Sequence, residues 1–416
     1  MTTFAELGIN KQLLAAVNRL GFTTPTEIQR LAIPHIIKEK DVIGESATGS
    51  GKTLAFGCSI IEHVQPKKGL QSLVLAPTRE LAEQVKDALR EFASDKDLRI
   101  NAVYGGVAFD PQVHQARRSE VIVATPGRML DHLRRGTIDT SKVKILIVDE
   151  ADRMFDMGFI DDVEQIIQAC PRKRQTLFFS ATISDRILKL GQRHLNQPEI
   201  VYAKKQVDPS KLKQIYYDVQ KNMKFSLLAH LLQDEQSGLV MVFCNTRRTT
   251  DFVTDNLSSN GVNAIAIHGG LTQNKRMKSL KTFNSGKTAV LVCTDVAARG
   301  LHIDNVSHVY NYDLPNDPKE YVHRIGRTAR AGEEGKVINL LSDHDYDSFA
   351  RILRGYSNFK VDNVETPEVK RIQIRMAPRN NNFDRPRNGY RHKSGQRAGN
   401  RGDYRKPYRQ KAPYRE

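Results

Sequence analysis

Residues Ser46 to Thr53 read Ser-Ala-Thr-Gly-Ser-Gly-Lys-Thr, set between the short run Asp41-Val42-Ile43-Gly44 and the helix-compatible Leu54-Ala55-Phe56. A strand, a glycine loop and a helix start in that order aim several backbone N–H groups at one point. Phosphate oxygens are stabilised there by hydrogen bonds and by the helix dipole. Ser46, Ala47, Thr48, Gly49, Ser50 and Gly51 would cradle the phosphates, Lys52 would bring a point charge to the outer ones, and the Thr53 hydroxyl would be a ligand for Mg²⁺. The usual pattern opens on glycine; this one opens on Ser46. Alone, the stretch fits a Gly/Ser-rich surface turn as well as a nucleotide site. Further on, the apolar run Ile145 to Val148 ends in Asp149-Glu150-Ala151-Asp152. An acid closing a buried strand is what a phosphate loop needs to hold Mg²⁺ opposite Thr53, and Glu150 could orient and deprotonate an attacking water. An acidic helix N-terminus favoured by the dipole is the plainer reading, and the position after a buried strand argues against it.

Positioning these groups requires a buried sheet. Apolar runs alternate with helical stretches at Leu73–Ala76, Ile100–Val103, Val121–Ala124, Ile145–Val148 and Thr176–Phe179. Such near-continuous strands separated by helices predict a parallel sheet covered on both faces. Thr24 and Pro25 predict the start of a helix running to Ile37. The polar stretch from Ala203 to Ser210 reads as a linker, after which the alternation restarts at Ile215–Tyr217 and runs through Val337–Leu341. The chain is therefore expected to hold two tandem α/β domains, at 1–203 and 213–360, joined by a linker at 204–212, and a basic disordered tail at 361–416. Only the first half carries a phosphate loop.

At 416 residues, two or three domains are expected from about 100–200 residues each. The formal net charge of +17 favours a polyanionic partner. Membranes are anionic too, but no apolar run approaches the ~18 residues of a spanning helix and no signal-peptide pattern opens the chain, so a soluble, cytoplasmic protein is expected. Cys58, Cys170, Cys244 and Cys293 are too dispersed for a zinc site or a disulfide framework and read as buried thiols. Between Ala377 and Glu416 there are twelve Lys/Arg against three acids, so this tail carries nine of the seventeen net charges. Phe383, Tyr390, Tyr404, Tyr408 and Tyr414 are interleaved with the arginines, a composition suited to base stacking with phosphate contact, or simply to solubility.

With Asp149-Glu150-Ala151-Asp152 the chain resembles the DEAD-box RNA helicases of helicase superfamily 2, and the likeness spans both α/β domains, roughly residues 4 to 345. The further motifs, in family order, are Gly21-Phe22-Thr23-Thr24-Pro25-Thr26-Glu27-Ile28-Gln29 with Phe4 upstream; Pro77-Thr78-Arg79-Glu80-Leu81-Ala82; Gly105-Gly106; Thr125-Pro126-Gly127-Arg128; Ser180-Ala181-Thr182; Gln273 with Arg276; Thr294-Asp295 with Ala298-Arg299-Gly300; and His323-Arg324-Ile325-Gly326-Arg327-Thr328-Ala329-Arg330. Each is weak alone; their joint order is specific.

The resemblance implies two RecA-like domains, ATP and Mg²⁺ as cofactors, and single-stranded and duplex RNA as substrate with little sequence preference. Gln29 can offer a donor and an acceptor to the adenine edge and Phe4 can cover the base, which the resemblance makes an ATP-selecting pair. Arg327 and Arg330 lie three apart and, if helical, share a face; the resemblance brings both against the γ-phosphate, where such fingers can be worth about 10³–10⁵ in rate. Pro77, Thr78, Arg79, Gly105, Gly106, Thr125, Pro126, Gly127 and Arg128 follow strands and so gather at the carboxyl edge of the sheet. By family analogy these, with Gln273, Arg276 and Thr294, contact the RNA backbone. Ser180 and Thr182 could hydrogen-bond to Asp149 or Asp152, the family's coupling of hydrolysis to unwinding. One departure is His302, where the family carries an Asp proposed to meet the ribose; Asp304 is close enough to substitute. The tail could also recruit ribonucleoprotein or RNA-decay proteins. An RNA chaperone acting through the tail without hydrolysis, and a DNA-directed relative, are the alternative readings.

Overall fold

The computed structural model describes residues 2–47, 49–203, 212–234, 238–298, 301, 303, 306–328, 335–356 and 359–375. Thr48, Arg299, Gly300, His302, Asp304, Arg330, the stretch 204–211 and everything from 376 onward lie outside the described residues.

Short runs of Val, Ile and Leu with no polar face can be buried only in a sheet covered on both sides. The first such sheet is built from β1 (Val42–Glu45), β2 (Ser72–Leu75), β3 (Ile100–Val103), β4 (Val121–Ala124), β5 (Ile145–Val148), β6 (Gln175–Ser180) and β7 (Glu199–Tyr202), in the order β3-β4-β2-β5-β6-β1-β7. The second is built from β8 (Leu212–Asp218), β9 (Leu239–Phe243), β10 (Ala264–Ile267), β11 (Val290–Cys293), β12 (Val306–Asn311), β13 (Gly335–Leu341) and β14 (Val361–Asn363), in the order β10-β11-β9-β12-β13-β8-β14. Counted from its own first strand, each sheet has the same order, and the pairings are parallel throughout. Alternate side chains enter opposite cores: on β5, Ile145 and Ile147 join one cluster, Leu146 and Val148 the other. No helix among the described residues is long and apolar enough to cross a membrane. All four cysteines are buried free thiols.

The expected boundary at 360 needs correction. Val361–Asn363 pairs with β8 as the last strand of the second sheet, in the place that β7 holds in the first. The chain then continues as a strap. Val364, Val369, Ile372 and Ile374 pack against the core cluster of that sheet. Ser226 Oγ accepts from Ile372 N–H at 3.1 Å. The buried Asn256 amide takes Arg375 at both ends, accepting from its N–H at 2.7 Å and donating to its carbonyl at 3.2 Å. Sequence patterning missed this because an edge strand and a strap need only one apolar face, and Val361-Asp362-Asn363-Val364 is too short and polar to announce either. A chain ended at 360 is expected to unfold at lower urea concentration than one ended at 375. Half-burial of four aliphatic side chains amounts to about 3–6 kcal/mol; coincident midpoints would show that the strap adds nothing.

Candidate functional site

β1 sits between β6 and β7, so the chain leaving Glu45 emerges beside Ser180 at the end of β6. Ser46 N–H donates to Ser180 O at 2.8 Å, which roots the glycine loop in the sheet. Gly49 and Gly51 take φ of +80° and +88°, and a Cβ on Gly51 would stand 2.3 Å from Gln29 Nε2. Glycine is therefore required there both for the backbone angle and for space. Lys52 opens the helix Lys52–His63, is buried, and donates from Nζ to Ser46 O at 3.1 Å. The irregular first residue has a job: Ser46 Oγ hydrogen-bonds to Ser50 Oγ across the buried floor of the loop.

Two of the residues expected at the base have protein partners in this structure. Gln29 Oε1 accepts from Thr26 N–H at 2.9 Å, its Nε2 donates to Gly51 O at 3.0 Å, and Thr26 Oγ1 donates to Ser50 O at 2.7 Å. The amide that would read a base edge here closes the capping box of the helix Glu27–Ile36 and ties that helix to the loop. Phe4 is 3% exposed and packed in the core with Leu7, Leu13 and Ile33, so its ring offers a base no open face in this structure.

Opposite the loop, β5 ends at Asp149 and Glu150, both buried. Burial pushes the Asp149 carboxyl up to about 6, the nearby Lys52 ammonium works against that rise, and Glu150 adds to it. Asp149 Oδ1 accepts from Glu150 N–H at 2.9 Å. Glu150 itself has φ +52° and ψ 51°, a left-handed conformation that costs a residue with a Cβ roughly 1–2 kcal/mol and that clusters at functional sites. It is the N-cap of the helix Ala151–Asp156. Of the two acids open to Ser180 and Thr182, the structure selects Asp152: its Oδ2 accepts from Thr182 N–H at 3.1 Å and from Thr182 Oγ1 at 3.2 Å, while Ser180 Oγ accepts from Asp152 N–H at 3.2 Å.

The donor set fits a metal–phosphate pair. A buried carboxylate whose charged form is disfavoured gains from a cation beside it, Thr53 adjoins Lys52 at the helix start, and the loop backbone comes close at Gly51, where a Cβ would meet Gln29.

The second face lies along the carboxyl ends of β2, β3 and β4. Thr78 caps the helix Arg79–Phe92, its Oγ1 accepting from Leu81 N–H at 3.2 Å. Arg79 lies against Gly106, where φ is +78° and a Cβ would be 2.0 Å from Nη1. Gly105 is half-buried, Gly106 and Gly127 are exposed, and Arg128 and Thr125 are half-buried. Pro77 and Pro126 are buried and shape the turns at this edge. Gln273 and Arg276 meet a protein partner. Gln273 Nε2 donates to Glu80 Oε1 at 2.9 Å and Arg276 Nη2 stands 3.1 Å from the same oxygen. These side chains reach from the second half to a buried acid of the first, and only folding brings partners 193 residues apart together. Thr294 is nearly buried and its carbonyl starts the short helix Asp295–Ala298.

Arg327 is buried in the second half and donates from Nη1 to Leu301 O at 2.6 Å. The helix Pro318–Ile325 ends before it, so a shared helical face with Arg330 is not how Arg327 is placed.

Sequence reasoning quoted Glu80 and Arg324 within motifs without giving either a role, and passed over Arg247. Arg324 is fully buried and donates to both Asp295 oxygens at 2.6 Å, to Asn311 Oδ1 at 3.0 Å and to Asn245 Oδ1 at 2.9 Å. Arg247 repeats the setting of Arg79. Thr246 before it caps its helix as Thr78 does, with φ −128° at both, and a Cβ on Gly269 would stand 3.1 Å from Arg247 Nη2. A Thr-Arg pair after a strand and a later Gly-Gly, present in both halves, was the available signal.

Residues 26–190 match the family described as DEAD/DEAH box helicase, and residues 223–332 the helicase conserved C-terminal domain. The chain is 44% identical over 381 residues to the ATP-dependent RNA helicase CshA of Listeria monocytogenes, covering 91% of this chain and 71% of that protein. It is 41% identical over 396 residues to the DEAD-box ATP-dependent RNA helicase CshA of Bacillus subtilis, covering 92% and 80%. Among solved structures, S. cerevisiae Dbp5 bound to RNA and ADP BeF3 is similar with a TM-score of 0.79 at 30% identity, covering 88% of this chain and 96% of that one.

Glu80→Ala removes the shared acceptor of Gln273 and Arg276, and is expected to loosen the two halves and raise the radius of gyration in small-angle scattering. An unchanged radius would mean that other contacts hold them.

Proposed function

The chain belongs to the DEAD-box family of ATP-dependent RNA helicases, and we propose that it works as a clamp whose two sheet domains grip ATP and single-stranded RNA along their carboxyl edges. It is an RNA-stimulated ATPase that unwinds RNA duplexes. The observation that carries the residue-level reading is the burial of Lys52, Asp149 and Glu150 beside one glycine loop at the edge of the first sheet.

In this reading the loop N–H groups from Ala47 to Gly51 hold the phosphates and Lys52 exchanges Ser46 O for phosphate oxygens. Thr53 and Asp149 would hold Mg²⁺, which when bound neutralises charge on the outer phosphates. Glu150, whose backbone is left-handed, orients the attacking water and accepts its proton. Gln29 reads adenine by trading Gly51 O for the base edge. Arg327, with Arg330 by its motif, stabilises the charge that develops on the transferred phosphoryl group. Asp152 with Thr182 and Ser180 passes the state of the nucleotide site to the second half.

Arg79, Gly106, Gly127 and Arg128 in the first half, and Arg247 with Gly269 and Gly270 in the second, form matching phosphate seats, and backbone contact of this kind reads little sequence. Glu80 with Gln273 and Arg276 is the latch that brings the seats together. Closure that bends one strand would expel its partner, which gives local strand separation in the cytoplasm rather than long travel along RNA. The basic segment from 376 onward adds a second, sequence-tolerant hold on RNA.

The deciding measurement is ATP hydrolysis with and without RNA. Glu150→Gln is expected to bind ATP as the wild type does, to lose at least about a hundredfold in RNA-stimulated turnover, and to accumulate a slowly dissociating RNA complex. Wild-type turnover in this variant would remove Glu150 as the base. Deleting residues 376–416 is expected to weaken RNA binding and flatten its dependence on salt, each lost single-strand phosphate contact lowering the slope by about 0.7. The same slope with and without the tail would take it out of the RNA site.

A further inference from the structure

The segment from Tyr104 to Ala108, between β3 and the helix Phe109–Ala116, is where two arginines of the first RNA seat converge. Arg79 lies across Gly106, where φ is +78° and a Cβ would be 2.0 Å from Nη1. Arg128 donates from Nη2 to Val107 O at 3.2 Å, and its guanidinium stands 5.5 Å from the centre of the Phe109 ring. Its Nη1 is buried with no hydrogen-bond partner among the described residues, so the group keeps a donor in hand. A Gly-Gly pair has large backbone freedom, and that freedom must be removed before the pair can serve as a seat.

Gln112 removes it. The side chain is buried, on the first turn of the following helix. Its Oε1 accepts from Tyr104 N–H at 2.9 Å, and its Nε2 donates to Tyr104 O at 3.1 Å and to Ala108 O at 3.2 Å. One planar amide thus ties both ends of the glycine loop and uses both its nitrogen hydrogens and its oxygen on main chain. An apolar residue would fill the space as well, but it would leave the half-buried Tyr104 N–H and carbonyl without these hydrogen bonds.

We propose that Gln112 is a positioning residue for RNA: by pinning Tyr104 and Ala108 it holds Gly105, Gly106 and Val107 in the form on which Arg79 and Arg128 are seated, before RNA arrives. The proposal rests on the reading of this edge as an RNA face. Preorganisation of this sort lowers the ordering cost of binding without touching the nucleotide site.

The test uses the full-length protein, a fluorescein-labelled single-stranded oligouridine, and steady-state ATPase assays. Gln112→Leu is expected to raise the KM for RNA by about tenfold and to lower the salt slope of oligouridine binding by about 0.7–1.4, the loss of one or two phosphate contacts. The KM for ATP and kcat at saturating RNA should stay within about twofold of wild type. Gln112→Glu, isosteric and still able to accept from Tyr104 N–H, should show the same RNA-selective defect and serves if the leucine variant does not fold. Arg79→Ala is the reference for the seat. An RNA KM raised by Arg79→Ala but not by either Gln112 variant overturns the proposal alone. An RNA KM unmoved by all three overturns the RNA-face reading and the proposal with it. Parallel rises in both KM values, with a lowered melting temperature, would assign Gln112 a merely structural role and overturn the proposal too.

Discussion

All strands of both sheets run the same way, and everything chemical in this protein follows from that. In a parallel sheet each strand ends on the same edge, so the loops after β1, β2, β3, β4, β5 and β6 converge although they come from segments far apart in the chain. The glycine loop, Asp149-Glu150 and Ser180-Ala181-Thr182 meet because β1, β6 and β5 are neighbours, and the arginine and glycine turns meet because β2, β4 and β3 are. The second sheet repeats the order and so presents an equivalent edge. One half can then lack a phosphate loop and still complete a site built on the other.

What sits on those edges is held by buried charge, which is expensive unless fully satisfied. Arg324 meets that condition: two Asp295 oxygens, Asn311, Asn245 and the Asp313 carbonyl take its donors, and the Phe243 ring lies 5.1 Å from its guanidinium carbon. Removing one partner from such a pair typically costs about 3–5 kcal/mol, so its effect is to lock the loop after β11 to the helix Pro318–Ile325. Asp149 is the opposite case. Its charge is disfavoured by burial and only partly offset by Lys52, a poise that suits a group meant to meet a cation and phosphates. Glu80 is intermediate, a buried acid whose satisfaction comes from across the domain junction.

Much of the fold was legible in the residues. Apolar runs of four with no polar face dictated parallel strands, and their alternation with helices dictated two α/β domains. The glycine loop, the Asp149-Glu150 pair and the ordered motifs made the ATP and RNA chemistry readable before any coordinate. The partners these side chains have without ligand were not legible for one reason, which is that a side chain's partner is not a property of its local sequence. Gln29 was expected at adenine and holds Thr26 and Gly51; Gln273 and Arg276 were expected at RNA and hold Glu80; Phe4 was expected over a base and lies in the core. The strap after Val361 was hidden for a related reason, since one-sided packing leaves little periodic signal.

By itself the sequence determined the inventory: which backbone stretches become buried strands, where glycine must stand, and which acids, lysine and arginines are available for phosphate chemistry. Periodicity and residue type act locally, so they survive in the linear text. The tertiary structure alone decided the pairings: Asp152 rather than Asp149 as the partner of Thr182, the left-handed backbone at Glu150, and the Glu80 junction between halves. Those depend on strand order and crossover, which place residues tens or hundreds of positions apart within hydrogen-bond reach, and no local pattern encodes that distance.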